Sequence, residues 1–176
     1  MKLLILDRDG VINEDSESYI KSPDEWQPIA GSLQAIVALN RAGLKVAVVT
    51  NQSGLARGLF SIDDLNAIHQ KMRKELDKLG GHIDALFFCP HGPDDNCECR
   101  KPKSGLLKDA LSRFHTPAEE ALLIGDSLRD LEAADSLGIP RALVLTGNGQ
   151  QTLDNLEDKK GLKIFPDLQS AVADYL

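Results

Sequence analysis

The sequence predicts an α/β fold, a three-layer sandwich with a central, mostly parallel sheet. Two observations predict it. Short apolar runs of strand length alternate along the chain with segments whose apolar residues recur at helical spacing, the pattern of strands joined by covering helices. Three of those runs end in polar turns, Asp7–Asp9, Thr50–Ser53 and Asp126–Asp130. Right-handed crossovers bring turns of this kind to one edge of a parallel sheet. The 176 residues suit one domain, 1–176, and no repeat, low-complexity stretch or linker divides them.

The elements run in order along the chain. Leu3–Leu6 is a buried strand, and Leu33, Ile36 and Val37 share one face of a helix that Gly43 stops. Lys45–Thr50 is the second strand. Leu65, Ile68, Met72, Leu76 and Leu79 mark a long helix with Ser61 as its cap and Gly80-Gly81 at its end. Ala85–Cys89 is the third strand, and Leu107, Ala110, Leu111 and Phe114 mark a third helix. Thr116-Pro117-Ala118-Glu119 reads as a capping box with Pro at the first helical position. Ala121–Ile124 is a strand, and Leu131, Ala134 and Leu137 form a helix closed by Gly138 and Pro140. Ala142–Leu145 and a short Lys163–Phe165 complete the set.

Twenty Lys and Arg against 27 Asp and Glu leave a net charge of −7. That balance argues against nucleic-acid backbone or anionic membrane as a partner, since both reward clustered positive charge. No apolar run approaches the ~20 residues of a bilayer span, and the run before Asp7 is too short for the apolar part of a signal peptide. A cytoplasmic, monomeric protein is expected. All three Cys lie between positions 89 and 99, which fits no disulfide framework.

The polar edge carries phosphate chemistry. Asp7-Arg8-Asp9-Gly10 sets two carboxylates one residue apart at a strand end. One such group attacks phosphorus while the other protonates the leaving oxygen and later activates water. Their charge facing an anionic substrate calls for a hard divalent cation with oxygen ligands, Mg²⁺ above all, with Asp126 as a further ligand. Thr50 and the backbone amides of Asn51, Gln52 and Ser53 offer neutral donors to phosphoryl oxygens. Taken singly, each of these polar turns is better explained by helix capping, Ser127 with Asp130 among them, and it is all three directly after apolar strands of one sheet that point to a site. No nucleotide-binding P-loop is present.

Cys89-Pro-His91 followed by Cys97-Glu-Cys99 collects three thiols and an imidazole, a donor set suited to a closed, structural Zn²⁺ site. Reduced surface cysteines without a metal are the alternative. The cluster Arg100-Lys101-Pro102-Lys103 comes directly after, and a metal-folded loop would aim it over the catalytic edge, where a solvated turn would not.

With these motifs the chain resembles the haloacid dehalogenase superfamily of phosphatases, whose Rossmann-like fold agrees with the alternating strand and helix pattern. The resemblance implies Asp7 as nucleophile, Asp9 as general acid/base with its backbone carbonyl on Mg²⁺, Thr50 on the transferring phosphoryl group and Asp126 on the metal. It also requires a lysine, for which Lys101 and Lys103 are in range. Asp-Arg-Asp-Gly, the run Thr50-Asn51-Gln52-Ser53-Gly54-Leu55-Ala56-Arg57-Gly58 and the Cys-Pro-His…Cys-x-Cys-Arg-Lys-Pro loop together resemble the D-glycero-D-manno-heptose 1,7-bisphosphate 7-phosphatase family. That likeness implies a small sugar bisphosphate as substrate, Lys101 as the required lysine, Arg100 as a substrate contact, and further contacts at Asp15 and Tyr19. The stretch Ser16-Glu17-Ser18 departs from the family by an extra residue. Histidinol phosphatases share much of the pattern; Arg57, placed to meet a second phosphate, favours the bisphosphate. A non-catalytic zinc-stabilised binding module is the alternative from another class, and a nucleic-acid-end phosphatase is one that the acidity disfavours.

The stretches from Gly10 to Val49 and from Asn51 to Cys99 are used up by the elements already assigned, so no cap domain is expected. Local elements must then exclude water from the site, namely the Asp15–Trp26 loop, the turn at 51–58 and the zinc loop. Trp26 stands either at the entrance or in the packing.

Overall fold

A computed structural model describes residues 1–176. Its six strands are β1 (Leu3–Leu6), β2 (Lys45–Asn51), β3 (Ala85–Cys89), β4 (Ala121–Gly125), β5 (Arg141–Val144) and β6 (Lys163–Phe165). They form one sheet in the order β3-β2-β1-β4-β5-β6, with every pair parallel. The helices are α1 (Ser32–Arg41), α2 (Ile62–Lys78), α3 (Gly105–Arg113), α4 (Leu128–Asp135), α5 (Gly149–Asn155) and α6 (Leu168–Tyr175).

The strands are buried on both faces, which is why they read as continuous apolar runs without alternation. In β1, Leu4 and Leu6 enter one apolar layer with α1, α2 and α6, while Leu3 and Ile5 enter the opposite layer with α3 and α4. The chain runs outward from β1 to β3, then returns to pair β4 with the other side of β1. The strand order therefore reverses at β1, and a crevice opens beyond the carboxyl ends of β1, β2 and β4.

The second helix is capped as its sequence predicts. Ser61 and Asp64 exchange side chain and backbone hydrogen bonds, and Gly80 takes the left-handed conformation after the last turn. Elsewhere the chain differs from expectation. Pro117 is the cap residue of a single 3-10 turn, Ala118–Glu120, and the Thr116 hydroxyl donates to the Phe114 carbonyl, so no capping box forms. Strand β5 begins and ends one residue early, and α4 ends at Asp135 before Leu137. Helix α5 escapes a pattern search because Gly-Gln-Gln-Thr-Leu-Asp-Asn has a single large apolar residue. Trp26 is not at the entrance. It is fully buried in the α1/α2 layer, with the Lys71 ammonium 5.7 Å from its ring centroid and bonded to its carbonyl.

Between β1 and β2 lie a loop, a 3-10 turn at Pro23–Glu25 and α1; between β2 and β3 lies α2. Neither connection contains a separate cap.

Candidate active site

Asp7 comes directly after β1 and places its carboxylate in the crevice. Its Oδ1 accepts the Arg8 amide at 2.7 Å, and its Oδ2 lies 3.0 Å from Lys101 Nζ. The Lys101 ammonium is itself buried, 2.6 Å from Asp130 Oδ1 and donating to the Val49 carbonyl at 2.8 Å. Three acceptors thus satisfy its three protons. Burial works against the charged lysine, but Asp130 and Asp7 more than offset it and hold its pKa above the usual value. Asp7 shifts upward as well. Burial is the main cause, opposed by Lys101 and reinforced by Asp130, Asp126 and Asp9.

Asp9 is held differently. Arg8, wholly buried, grips it with Nε at 3.0 Å and Nη2 at 2.8 and 3.1 Å, while Asn13 and Gln52 donate at 2.9 and 3.0 Å. Burial raises its pKa, yet these donors outweigh burial and keep the carboxyl below the ordinary range. The paired carboxylates of Asp7-Arg8-Asp9 therefore occupy opposite electrostatic settings, one favouring the proton and one the charge.

Asp126 comes directly after β4. Its Oδ2 accepts from the Asn148 amide at 2.7 Å and the Asn148 side chain at 3.3 Å, which leaves Oδ1 free. Burial, with Asp130 next, pushes Asp126 up to about 7. Carboxylate oxygens of Asp7, Asp126 and Asp130 all lie within 4.8 Å of one another, with the Lys101 ammonium as the cation bonded among them. Hard oxygen donors with negative charge in excess fit a divalent cation. Asp130 contributes less of its carboxylate than the other two, because it also accepts from the Ser127 amide and hydroxyl.

Thr50, Ser53, Asp15, Tyr19, Arg57 and Arg100 join these residues around one cavity of about 370 Å³. The side chains of Asn51 and Gln52 also reach it but are already engaged. Asn51 brackets Lys101, donating to its carbonyl and accepting from its amide at 3.0 Å each, and Gln52 donates to Asp9 and to the Thr50 hydroxyl. Asp15 accepts from Asn148 at 3.0 Å, and the Arg57 guanidinium stands 6.0 Å from the Tyr19 ring centroid. Lys103 turns outward to Glu98.

Two groups of residues were not singled out from the sequence as site residues. Asp130 anchors Lys101, and its signal was the four-residue step from Asp126 to Asp130 at the start of a helix. Thr146-Gly147-Asn148, just beyond β5, closes on the site: Thr146 donates to the Gly10 carbonyl at 2.6 Å and Asn148 bridges Asp126 to Asp15. Its signal was a polar, glycine-bearing turn after one more apolar strand of the same sheet. Gly10 and Gly147 face each other with positive φ, and a Cβ on either would overlap the Asp126 carboxylate.

The cysteine loop lies beside this cavity. Cys89 Sγ is 3.7 Å from Cys97 Sγ and 3.0 Å from Cys99 Sγ, and His91 Nδ1 is 3.6 and 3.2 Å from the Cys89 and Cys99 sulfurs. Tetrahedral ligands at ~2.3 Å from Zn²⁺ stand roughly 3.7 Å apart, so the four donors match that ion in type, number and spacing. Burial and the Cys99 contact push Cys89 up to about 12. Hydrogen bonds from the Arg100 amide and the neighbouring sulfurs bring Cys97 down to about 7 against burial.

The comparisons with known proteins agree with this geometry. A polynucleotide kinase 3 phosphatase family model matches residues 2–134, and a HAD-hydrolase-like model matches residues 98–171. The chain is 52% identical, over all of its own length and 98% of the relative's, to a D-glycero-β-D-manno-heptose 1,7-bisphosphate 7-phosphatase of Bordetella bronchiseptica. The chain belongs to this family of haloacid-dehalogenase-like phosphatases. A family member from Pseudomonas aeruginosa is 48% identical over 99% of the chain and 97% of the relative. A solved structure of the Bordetella D,D-heptose 1,7-bisphosphate phosphatase, complexed with magnesium and phosphate, superposes with a TM-score of 0.97 at 50% identity, covering 99% of this chain and 98% of that one. Members of the family are phosphoric monoester hydrolases, and no helix of this chain is long and apolar enough to cross a membrane.

Proposed function

We propose that this protein hydrolyses the 7-phosphate of D-glycero-β-D-manno-heptose 1,7-bisphosphate, acting as a monomer in the cytoplasm and releasing heptose 1-phosphate and inorganic phosphate. The observation that carries the reading is the convergence of Asp7, Lys101, Asp126 and Asp130 beside a separately clamped Asp9, in a chain aligned end to end with phosphatases of that name.

In this reading the Asp7 carboxylate attacks the phosphorus and the bond from phosphorus to the sugar oxygen breaks. Asp9, which enters this step protonated against the pull of Arg8, delivers its proton to that oxygen as it leaves and is left in the ionised form that its donors favour. The resulting aspartyl-phosphate is hydrolysed by a water that gives its proton back to Asp9. Arg8, Asn13 and Gln52 hold the Asp9 carboxylate in place and stabilise its ionised form, the state required of it as a base. Lys101 balances charge on the phosphoryl group, and Thr50 with the amides of Asn51 and Ser53 takes its oxygens, the Gln52 amide being already bonded to the Cys89 carbonyl at 2.8 Å. Asp7, Asp126 and the backbone carbonyl of Asp9 would hold Mg²⁺, which supplies positive charge to the phosphoryl oxygens. Cys89, His91, Cys97 and Cys99 would hold a structural Zn²⁺ that keeps Arg100 and Lys101 aimed at the cavity.

The test compares kcat/KM for heptose 1,7-bisphosphate and histidinol phosphate in the presence of Mg²⁺. A preference of ~100-fold for the bisphosphate, about 2.7 kcal/mol of discrimination, is expected. The reverse preference would reassign the substrate.

A further inference from the structure

A second cavity, of about 430 Å³, adjoins the first and shares Pro93, Arg100, Lys101 and Arg129 with it. Lys101 is spent on Asp7 and Asp130, whereas the side chains of Arg100 and Arg129 have no carboxylate partner. Both arginines line the opening that the two cavities share. Arg129 also occupies the first turn of α4, the end at which the helix dipole disfavours a cation. Two unpaired cations around a shared opening, in a chain of net charge −7, are arranged against local electrostatics unless an anion comes between them.

We propose that Arg129 is a specificity-determining residue, which with Arg100 receives the distal phosphate of the bisphosphate in the opening between the two cavities while the reacting phosphate sits at Asp7. The proposal rests on the bisphosphate reading above. A planar guanidinium donates to a phosphate through two parallel N–H groups, so two arginines at one opening grip a dianion in a fixed orientation. That grip selects substrates carrying a second phosphate about one sugar away from the first. Arg57, beside Tyr19 in the first cavity and absent from the second, remains available to the sugar.

The experiment measures kcat/KM for heptose 1,7-bisphosphate and for heptose 7-phosphate, which lacks the distal group, with wild type, Arg129→Gln and Arg129→Lys. The bisphosphate-to-monophosphate ratio is expected to fall by about 10- to 100-fold in Arg129→Gln, as expected for the loss of charge-assisted hydrogen bonds, with partial recovery in Arg129→Lys. The thermal midpoint of ligand-free Arg129→Gln is expected to equal or exceed that of wild type, because a repulsive cation has been removed. An unchanged ratio, or equal losses on both substrates with a lowered midpoint, would overturn the proposal and leave Arg129 a structural residue. Failure of wild type to favour the bisphosphate would instead overturn the substrate reading itself, and the proposal with it.

Discussion

Asp7 and Asp9 show how one residue between two like groups separates their tasks. Arg8 turns its side chain away from the crevice into the core, where it neutralises Asp9 and leaves Asp7 to Lys101. Replacing Asp7 with Asn keeps the shape and removes the nucleophile. Phosphate release is expected to fall by on the order of 10⁴- to 10⁶-fold, measured as kcat with saturating substrate. Arg8 is supported from behind by His69, whose Nε2 lies 3.0 Å from Arg8 Nη1. Burial, then Arg8 and Arg73, bring the His69 pKa down to about 3, so the imidazole is neutral in the fold. Below the ordinary value near 6.5 the unfolded chain binds a proton that the native chain does not. The stabilising effect is therefore complete above pH 6.5 and is lost as the pH falls toward 3, about 2 kcal/mol of it by pH 5. Denaturant titrations at pH 7 and pH 5 test this, and in His69→Gln the difference between them should shrink by that amount.

At the scale of elements, the site is built at the carboxyl ends of four parallel strands. Asp7, Thr50, Asp126 and Asn148 stand at the ends of β1, β2, β4 and β5 or in the turns just beyond them, and all four strands end at the same edge. The cysteine loop after β3 supplies the fifth contribution, Arg100 and Lys101. Because Asn51 brackets the Lys101 backbone, that residue is anchored from β2 as well as from the loop. Removal of Zn²⁺ by a thiol-competing chelator is accordingly expected to lower kcat/KM by about tenfold or more and to lower the thermal midpoint. Re-addition of Zn²⁺ should restore both, and Mg²⁺ should restore neither. A chelated protein with full activity and an unchanged midpoint would show that the loop holds its shape without metal.

At the scale of the molecule, the fold concentrates repulsion in one place. Asp7, Asp126 and Asp130 are brought within 4.8 Å of one another in a chain already carrying −7, and the packed sheet holds them there. Ligands that relieve the repulsion should stabilise the whole domain. At about 100 times its Kd, a Mg²⁺ and phosphate pair contributes about 2.7 kcal/mol, which at this size raises the thermal midpoint by roughly 5–10 °C. Scanning calorimetry with Mg²⁺, phosphate and both together checks this, and no shift in any condition would count against the metal site.

The sequence by itself determined the layer architecture and the chemistry at the strand ends, because apolar runs buried on both faces and acids placed directly after them are local signals. It was enough to name Asp7, Asp9, Thr50, Lys101, Asp126 and the four zinc donors as candidates. What only the tertiary structure decided was which polar groups are already occupied. The Gln52 amide, expected to meet a phosphoryl oxygen, is spent on the Cys89 carbonyl, and the side chains of Asn51 and Gln52 are held by Lys101, Asp9 and Thr50. Asp130, readable as a helix cap, both caps α4 and anchors Lys101. Trp26 packs inside, and Asn148 reaches the site from a loop whose only hint was its place after a strand. A hydrogen-bond partner distant in sequence leaves no trace in local periodicity. The free cations and carboxylates that remain to bind a ligand emerge only after the fold has paired the rest.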